Sequence, residues 1–282
     1  MATISESNIN QRAGRNLSLA SIVGVGMLLL FGGALFLNHL VFIVLVAAII
    51  GLAIWELAVA LRSRGYAPPL IVMVVGGLGM IFSAYRFGEE ALLIVYVLTL
   101  GGVLVWRVLD GQGRGALRDI MSAIFVVTYV PLLGAFVSLM LAKPQGTELV
   151  ALFVLMCVAS DVGGYGAGVL IGKHKMAPTV SPKKTWEGFG GSVVLTVAIA
   201  LTGATMLFDA SPLAGVLLGL VTVVAATLGD LSESLIKRDL GVKDMSSLIP
   251  GHGGVLDRTD SILFAAPVVL VFSEILLPMG VS

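Results

Sequence analysis

The chain predicts an all-α integral membrane protein of about nine transmembrane helices, and three observations carry that expectation. Of its 282 residues, 57% are hydrophobic and the mean hydropathy is +1.03, far above the range of a soluble domain. Apolar stretches of about 20 residues, the length that crosses a hydrocarbon core, recur from one end to the other. Strand-type alternation is absent, which excludes a membrane β-barrel.

The elements follow in order. Residues 1–16 form a polar N-terminal segment. The expected spans are 17–37, 40–61, 69–85, 91–109, 120–142, 149–171, 189–208, 212–236 and 261–278. The first resembles a signal peptide but continues into further spans and lacks a convincing cleavage site, so it is expected to be a span. Spans one to five (17–145) read as scaffold, with glycine runs such as 76–80 suited to close helix packing in lipid. Residues 146–282, with the last four spans, read as the catalytic region. Such a path puts fifteen of the seventeen Lys and Arg residues on one side, leaving only Arg86 and Lys143 on the other. Positive charge marks the cytoplasmic side, so the N-terminus is expected inside and the C-terminus outside, in a bacterial inner or plasma membrane. The formal net charge of zero names no partner, and no nucleic acid is expected. One cysteine, Cys157, cannot form an internal disulfide and sits in an apolar span as a packed thiol. Glu56 and Glu274 are membrane-embedded acids outside the polar blocks, with no role beyond a paired carboxylate or a helix end.

Three polar blocks carry chemistry. In SDVGGYGAGVLIGKHK, 160–175, Asp161 falls inside a span, where a charge costs a few kcal/mol unless paired or solvated. It is either bonded to a neighbour across a tight, glycine-lined helix contact or stands on the wall of a polar cavity; Tyr165, four residues on, shares its face. In APTVSPKKTWEGFGGS, 177–192, Ser181 before Pro182 predicts a helix start, with Lys183 and Lys184 beside an anion-binding helix N-terminus. Glu187 there could orient a lysine or contribute to a metal, and Trp186 could anchor at the interface or stack on a base.

The third block is the densest. Asp230, Glu233, Ser234 and Lys237 stand at helical spacing on one face of the eighth span. Downstream, Pro250, Gly251, His252, Gly253 and Gly254 form a loop open to close backbone approach by a ligand, and Asp257 and Asp260 lead into the ninth span. Carboxylates hold divalent cations, and Lys and Arg grip phosphate oxygens. Bringing Asp230 and Asp257 together would make a site for Mg²⁺. Nothing in membrane stability calls for such a concentration of charge, so the block points to an enzyme acting on phosphates at a membrane surface.

Residues 234–260 also resemble, position by position, the signature of the phosphatidate cytidylyltransferases, or CDP-diacylglycerol synthases. The shared positions are Ser234, Lys237, Arg238, Lys243, Asp244, Pro250, His252, Gly253, Gly254, Asp257, Arg258 and Asp260. Gly229-Asp230, the SPKKTWEG block and Asp161 with Tyr165 are similar to that family as well, so the resemblance spans residues 160–265. It implies transfer of the cytidylyl group of CTP to phosphatidate, giving CDP-diacylglycerol and pyrophosphate, with Mg²⁺ (one ion or two) and a cytoplasm-facing site. A homodimer is implied by family habit. On this reading Asp230 and Asp257 are the main metal ligands, with Asp260 and Asp161 as further candidates. Lys237 and Arg238 bind a substrate phosphate and Ser234 hydrogen-bonds one. Lys183 and Lys184 hold the triphosphate, while Lys243, His252, Gly253, Gly254 and Arg258 complete the phosphate contacts. Three other classes are weaker. A CTP-using lipid kinase would release CDP. A CDP-alcohol phosphotransferase needs an Asp-Gly-x2-Ala-Arg pattern absent here. A transporter is disfavoured by charges gathered at one face and by the lack of inverted halves.

Overall fold

The computed structural model describes residues 17–111, 113, 115–248 and 253–278. Its helices, in chain order, are α1 (Leu17–Leu37), α2 (His39–Ser63), α3 (Leu70–Leu109), α4 (Ala116–Leu141), α5 (Gly146–Ile171), α6 (Trp186–Phe208), α7 (Pro212–Leu240) and α8 (Leu256–Leu276). A two-stranded antiparallel hairpin, β1 (Lys175–Ala177) and β2 (Ser181–Thr185), separates α5 from α6. Seven of these helices, α2 to α8, are long and apolar enough to cross a membrane; α1 contributes the shorter apolar run Gly24–Leu37 among the described residues.

Helix α3 counts as one of the seven but is folded in two. Its 40 residues would reach about 60 Å if straight, twice a hydrocarbon core. At Gly88 the backbone takes φ 81 and ψ −161, a region essentially closed to residues with a Cβ, and the chain reverses. The arms then pack antiparallel. A Cβ on Gly79 would lie 3.1 Å from Val95, one on Gly102 3.2 Å from Val72, and one on Gly76 would overlap Thr99. The expected breaks at 85 and 91 flank this reversal.

Helix α4 carries Pro131, which lacks an N–H and would clash with the preceding turn. One wide turn at Thr128–Leu132, a π segment, absorbs it without ending the helix. Several helices outrun their apolar stretches because their ends carry charge: α7 continues through Lys237 and Arg238, and α8 begins early enough to include Asp257 and Asp260.

The helix expected to start at Ser181 starts later. Residues 181–185 are strand, pairing Ala177 with Ser181 and Lys175 with Thr185. Thr185 is the cap, its hydroxyl accepting from Gly188 N at 3.1 Å. Thr185 has the extended backbone of an N-cap, and placing the start there lets Trp186 N donate to His174 O at 3.0 Å, closing the hairpin.

The loops gather at two ends of the bundle. At one end His39 hydrogen-bonds Thr147 at 2.8 Å, Lys143 pairs with Glu274, and Glu89 lies 3.8 Å from Lys143. Glu274 is therefore a helix-end ion-pair partner. At the other end Arg107 pairs with Asp119 and with Asp110 at 2.6 Å, Asp119 accepts from Ala67 N at 2.8 Å, and Arg64 donates to Leu240 O at 2.7 Å. Between the ends lies one continuous apolar core, including Phe42, Ile54, Leu57, Met80, Phe153 and Cys157.

Candidate active site

The polar end of α5, α6, α7 and α8, together with the hairpin, encloses a cavity of about 890 Å³. Its depth between helices follows from glycine. A Cβ on Gly191 of α6 would stand 2.5 Å from Ala167 Cβ and 2.5 Å from Gly163 O of α5, so the two backbones touch where side chains would hold them apart. Ser192 Oγ donates to Ser160 O at 2.6 Å across the same contact. Asp161, next to Ser160, lines the cavity, so its charge has a wet wall rather than lipid beside it.

Helix α7 supplies Asp230 and Lys237, and β2 supplies Lys183 and Lys184. Lys184 Nζ pairs with Asp230 Oδ2 at 2.6 Å, which ties the hairpin to α7. Two turns further on, Lys237 Nζ stands 2.5 Å from Glu233 Oε2 and 2.9 Å from Asp257 Oδ1. The Glu233 side chain is fully buried, so a single ammonium group serves two carboxylates, one from α7 and one from α8.

Asp257 is fully engaged. Its Oδ2 accepts from Gly254 N at 2.7 Å and from Met245 N at 3.0 Å, while Oδ1 takes Lys237. Gly253 at φ 82 makes room: a Cβ there would stand 2.7 Å from Asp257 Oδ2. Asp260, one turn along α8, is nearly buried and accepts from Ser261 N at 2.8 Å through Oδ1. Asp161, Asp230 and Asp260 lie close enough to act on one another electrostatically. Three negative groups around one cavity, with Lys184 on one of them, form a place where a cation is favoured. Among the described residues, no three His, Cys, Asp or Glu side chains converge tightly enough to cage a metal without other ligands.

Most of the residues singled out in the sequence meet here. Asp161, Lys183, Lys184, Asp230, Lys237, Lys243, Gly253, Asp257, Arg258 and Asp260 all line the one cavity. Ser234 and Arg238 are not among its lining residues; Arg238 turns outward and donates to Val180 O at 3.2 Å. Gly254 packs against Glu56 instead of the cavity, and His252 lies outside the described residues. Asp230 and Asp257 border the same space but answer to different lysines. Glu187 accepts from Lys173 N at 3.1 Å and pairs with His174 at 2.6 Å, so it fastens the hairpin to α6 away from the cavity. Two residues named in the sequence have contacts that the sequence does not foretell. Glu233 was visible as part of a helical stripe, but its burial against Lys237 was not. Glu56 carried no sequence signal beyond being an acid in an apolar run.

Similarity to known proteins agrees with this geometry. Residues 18–276 match the Cytidylyltransferase family. The chain is 39% identical to the phosphatidate cytidylyltransferase of Mycobacterium bovis over 90% of this chain and 87% of that protein. It is 38% identical to that of Mycobacterium leprae, covering 91% and 87%. It is 34% identical to that of Pseudomonas aeruginosa, covering 84% and 89%. With the match running through all eight helices and both halves of the cavity, the chain belongs to the cytidylyltransferase family.

Proposed function

We propose that this chain transfers the cytidylyl group of CTP to phosphatidate, releasing pyrophosphate and leaving CDP-diacylglycerol in the membrane. The observation that carries the reading is the polar cavity at one end of an apolar bundle, where carboxylates of α5, α7 and α8 face lysines of β2 and α7. One substrate is lipid-borne and the other a soluble polyanion, so the reaction needs a charged chamber at the membrane surface. The phosphatidate phosphate attacks the α-phosphorus of CTP and the bond to the pyrophosphate breaks. The attacking oxygen is already anionic, so no strong general base is required. The obstacle is repulsion among phosphates, which positioned cations offset.

Lys183, Lys184, Lys243 and Arg258 line the cavity and grip phosphate oxygens in this reading. Lys184 and Asp230 neutralise one another before substrate arrives, and a phosphate that takes Lys184 leaves Asp230 uncompensated. Mg²⁺ suits that set, because it takes few carboxylates and keeps waters and substrate phosphates as its other ligands. Asp230 and Asp260 would hold it, with Asp161 beside them, while Asp257 orders the loop and Lys237. Bound there, the ion would neutralise phosphate charge and favour departure of pyrophosphate.

The lysine-rich end faces the cytoplasm in this proposal, with α3 crossing twice, nine crossings in all, and the C-terminus outside. The direct test is purified protein with phosphatidate and α-labelled CTP, with and without Mg²⁺. Lipid-soluble label and free pyrophosphate are expected, both dependent on the ion. Label reaching lipid only from γ-labelled CTP, with release of CDP, would make the protein a lipid kinase instead.

A further inference from the structure

Glu56 is fully buried in α2, in the half of the chain that reads as scaffold. A buried carboxylate is costly unless its oxygens are satisfied. Glu56 meets that need at one place: Oε1 accepts from Ser246 Oγ at 2.5 Å and from Val255 N at 2.9 Å, and Oε2 accepts from Leu256 N at 2.8 Å. The two backbone donors are the first of α8, where a negative charge is also favoured by the helix dipole. The carboxylate packs flat on the loop, since a Cβ on Gly254 would stand 2.7 Å from Oε2.

The same helix grips the other end of this loop. Arg64, the C-cap of α2 and eight residues after Glu56, donates to Leu240 O at the C-terminus of α7. Its guanidinium lies where a Cβ on Gly241 would be, so it covers the turn that leaves α7. Helix α2 and its C-cap therefore link the end of α7, which carries Asp230, Glu233 and Lys237, to the start of α8, which carries Asp257 and Asp260. Asp257 holds Met245 N and Gly254 N from the cavity side while Glu56 holds Ser246 and Val255 from the core side.

We infer that Glu56 is a positioning residue for cytidylyl transfer: it clamps the loop before α8 to α2 and thereby sets where Asp257 and Asp260 stand over the cavity. The inference rests on the reaction proposed above. It does not make Glu56 a catalytic residue, because it touches the loop and the helix start and does not line the cavity.

The test compares Glu56→Gln with the parent protein in detergent, by amide hydrogen exchange without substrate and by turnover per folded molecule. Glutamine keeps the size but replaces one acceptor oxygen with an NH₂ group that faces backbone N–H donors. Faster exchange at Val255 and Leu256 follows from lost bonds alone and decides nothing. The deciding amides are Met245 and Gly254, which bond Asp257 and not Glu56. Their faster exchange, together with a fall in kcat of about 10- to 100-fold and a raised Mg²⁺ requirement, is the expected result. Unchanged exchange at Met245 and Gly254, or an unchanged kcat, overturns the inference. If Glu56→Gln gives no folded protein, Ser246→Ala, which removes one of the three donors, is judged on exchange at Met245 and Gly254 alone, because Ser246 also lines the cavity, and unchanged exchange there overturns the inference. A parent protein that makes no lipid-soluble product sinks the proposed reaction, whereas the exchange arm still reports whether Glu56 orders Asp257.

Discussion

Lys237 stands between Glu233 and Asp257 with 16% of its side chain exposed, and its charge is what allows two carboxylates to lie so close. Removing it and removing one of its partners should differ. Asp257→Asn keeps an oxygen for the Met245 and Gly254 amides and leaves the Glu233–Lys237 pair intact. It is expected to fold normally in detergent and to lose at least about 100-fold in cytidylyl transfer. Near-normal turnover in that variant would show that the Asp257 charge is not needed. Lys237→Met leaves the buried Glu233 without a counter-charge, a change that costs about 3–5 kcal/mol in buried pairs. That variant should lose both turnover and thermal midpoint, and a midpoint equal to the parent's would argue against the shared pair. Half of this triad was legible. Glu233 and Lys237 are four apart on a helix, so the spacing places them together. Asp257 is twenty residues away across a glycine loop, and no local rule orients its two oxygens. The sequence therefore pairs Asp230 with Asp257, whereas the structure hands each to its own lysine.

At the scale of elements, the most consequential local feature is the reversal of α3 at Gly88. Valine there would have to adopt a backbone region kept almost entirely to glycine, at a cost of about 1–3 kcal/mol. Gly88→Val should lower the folded yield and thermal midpoint while leaving turnover per folded molecule close to the parent's, because the turn lies at the end of the bundle away from the cavity. Lost turnover with an unchanged midpoint would contradict that separation. The helices themselves are legible in the sequence to within a few residues, since apolar length decides them. Three boundaries are not. The charged ends of α7 and α8 extend beyond the apolar runs because their side chains face a polar cavity. The sequence points to Ser181 as the start of α6, because serine before proline is a common cap. Strand pairing with residues 175–177 claims Ser181 instead and leaves Thr185 as the cap.

At the scale of the whole molecule, the division of charge between two ends supports one orientation, and Cys157 makes it easy to test. The native thiol is buried, so single cysteines added at the surface report without background. Gly113→Cys belongs to the loop between α3 and α4, and Glu90→Cys to the turn after Gly88. In intact cells a membrane-impermeant maleimide should label Glu90→Cys readily and Gly113→Cys only after lysis. The reverse pattern would turn the protein over in the membrane, and equal labelling of both would remove the case for crossing twice within α3.

Composition and spacing are enough to predict a helical, apolar bundle with its charged residues gathered at one end of the C-terminal half, because apolar length and charge placement are properties of the chain itself. They also brought Asp161, Lys184, Asp230, Lys237, Asp257 and Asp260 forward as a group. What the chain could not reveal by itself is which lysine neutralises which carboxylate, or that an acid in the second helix ties down the loop before the last. Those are contacts between residues up to 200 positions apart, such as Glu56 with Leu256. They exist only once packing has brought separate helices side by side, and packing depends on all of the surfaces at once.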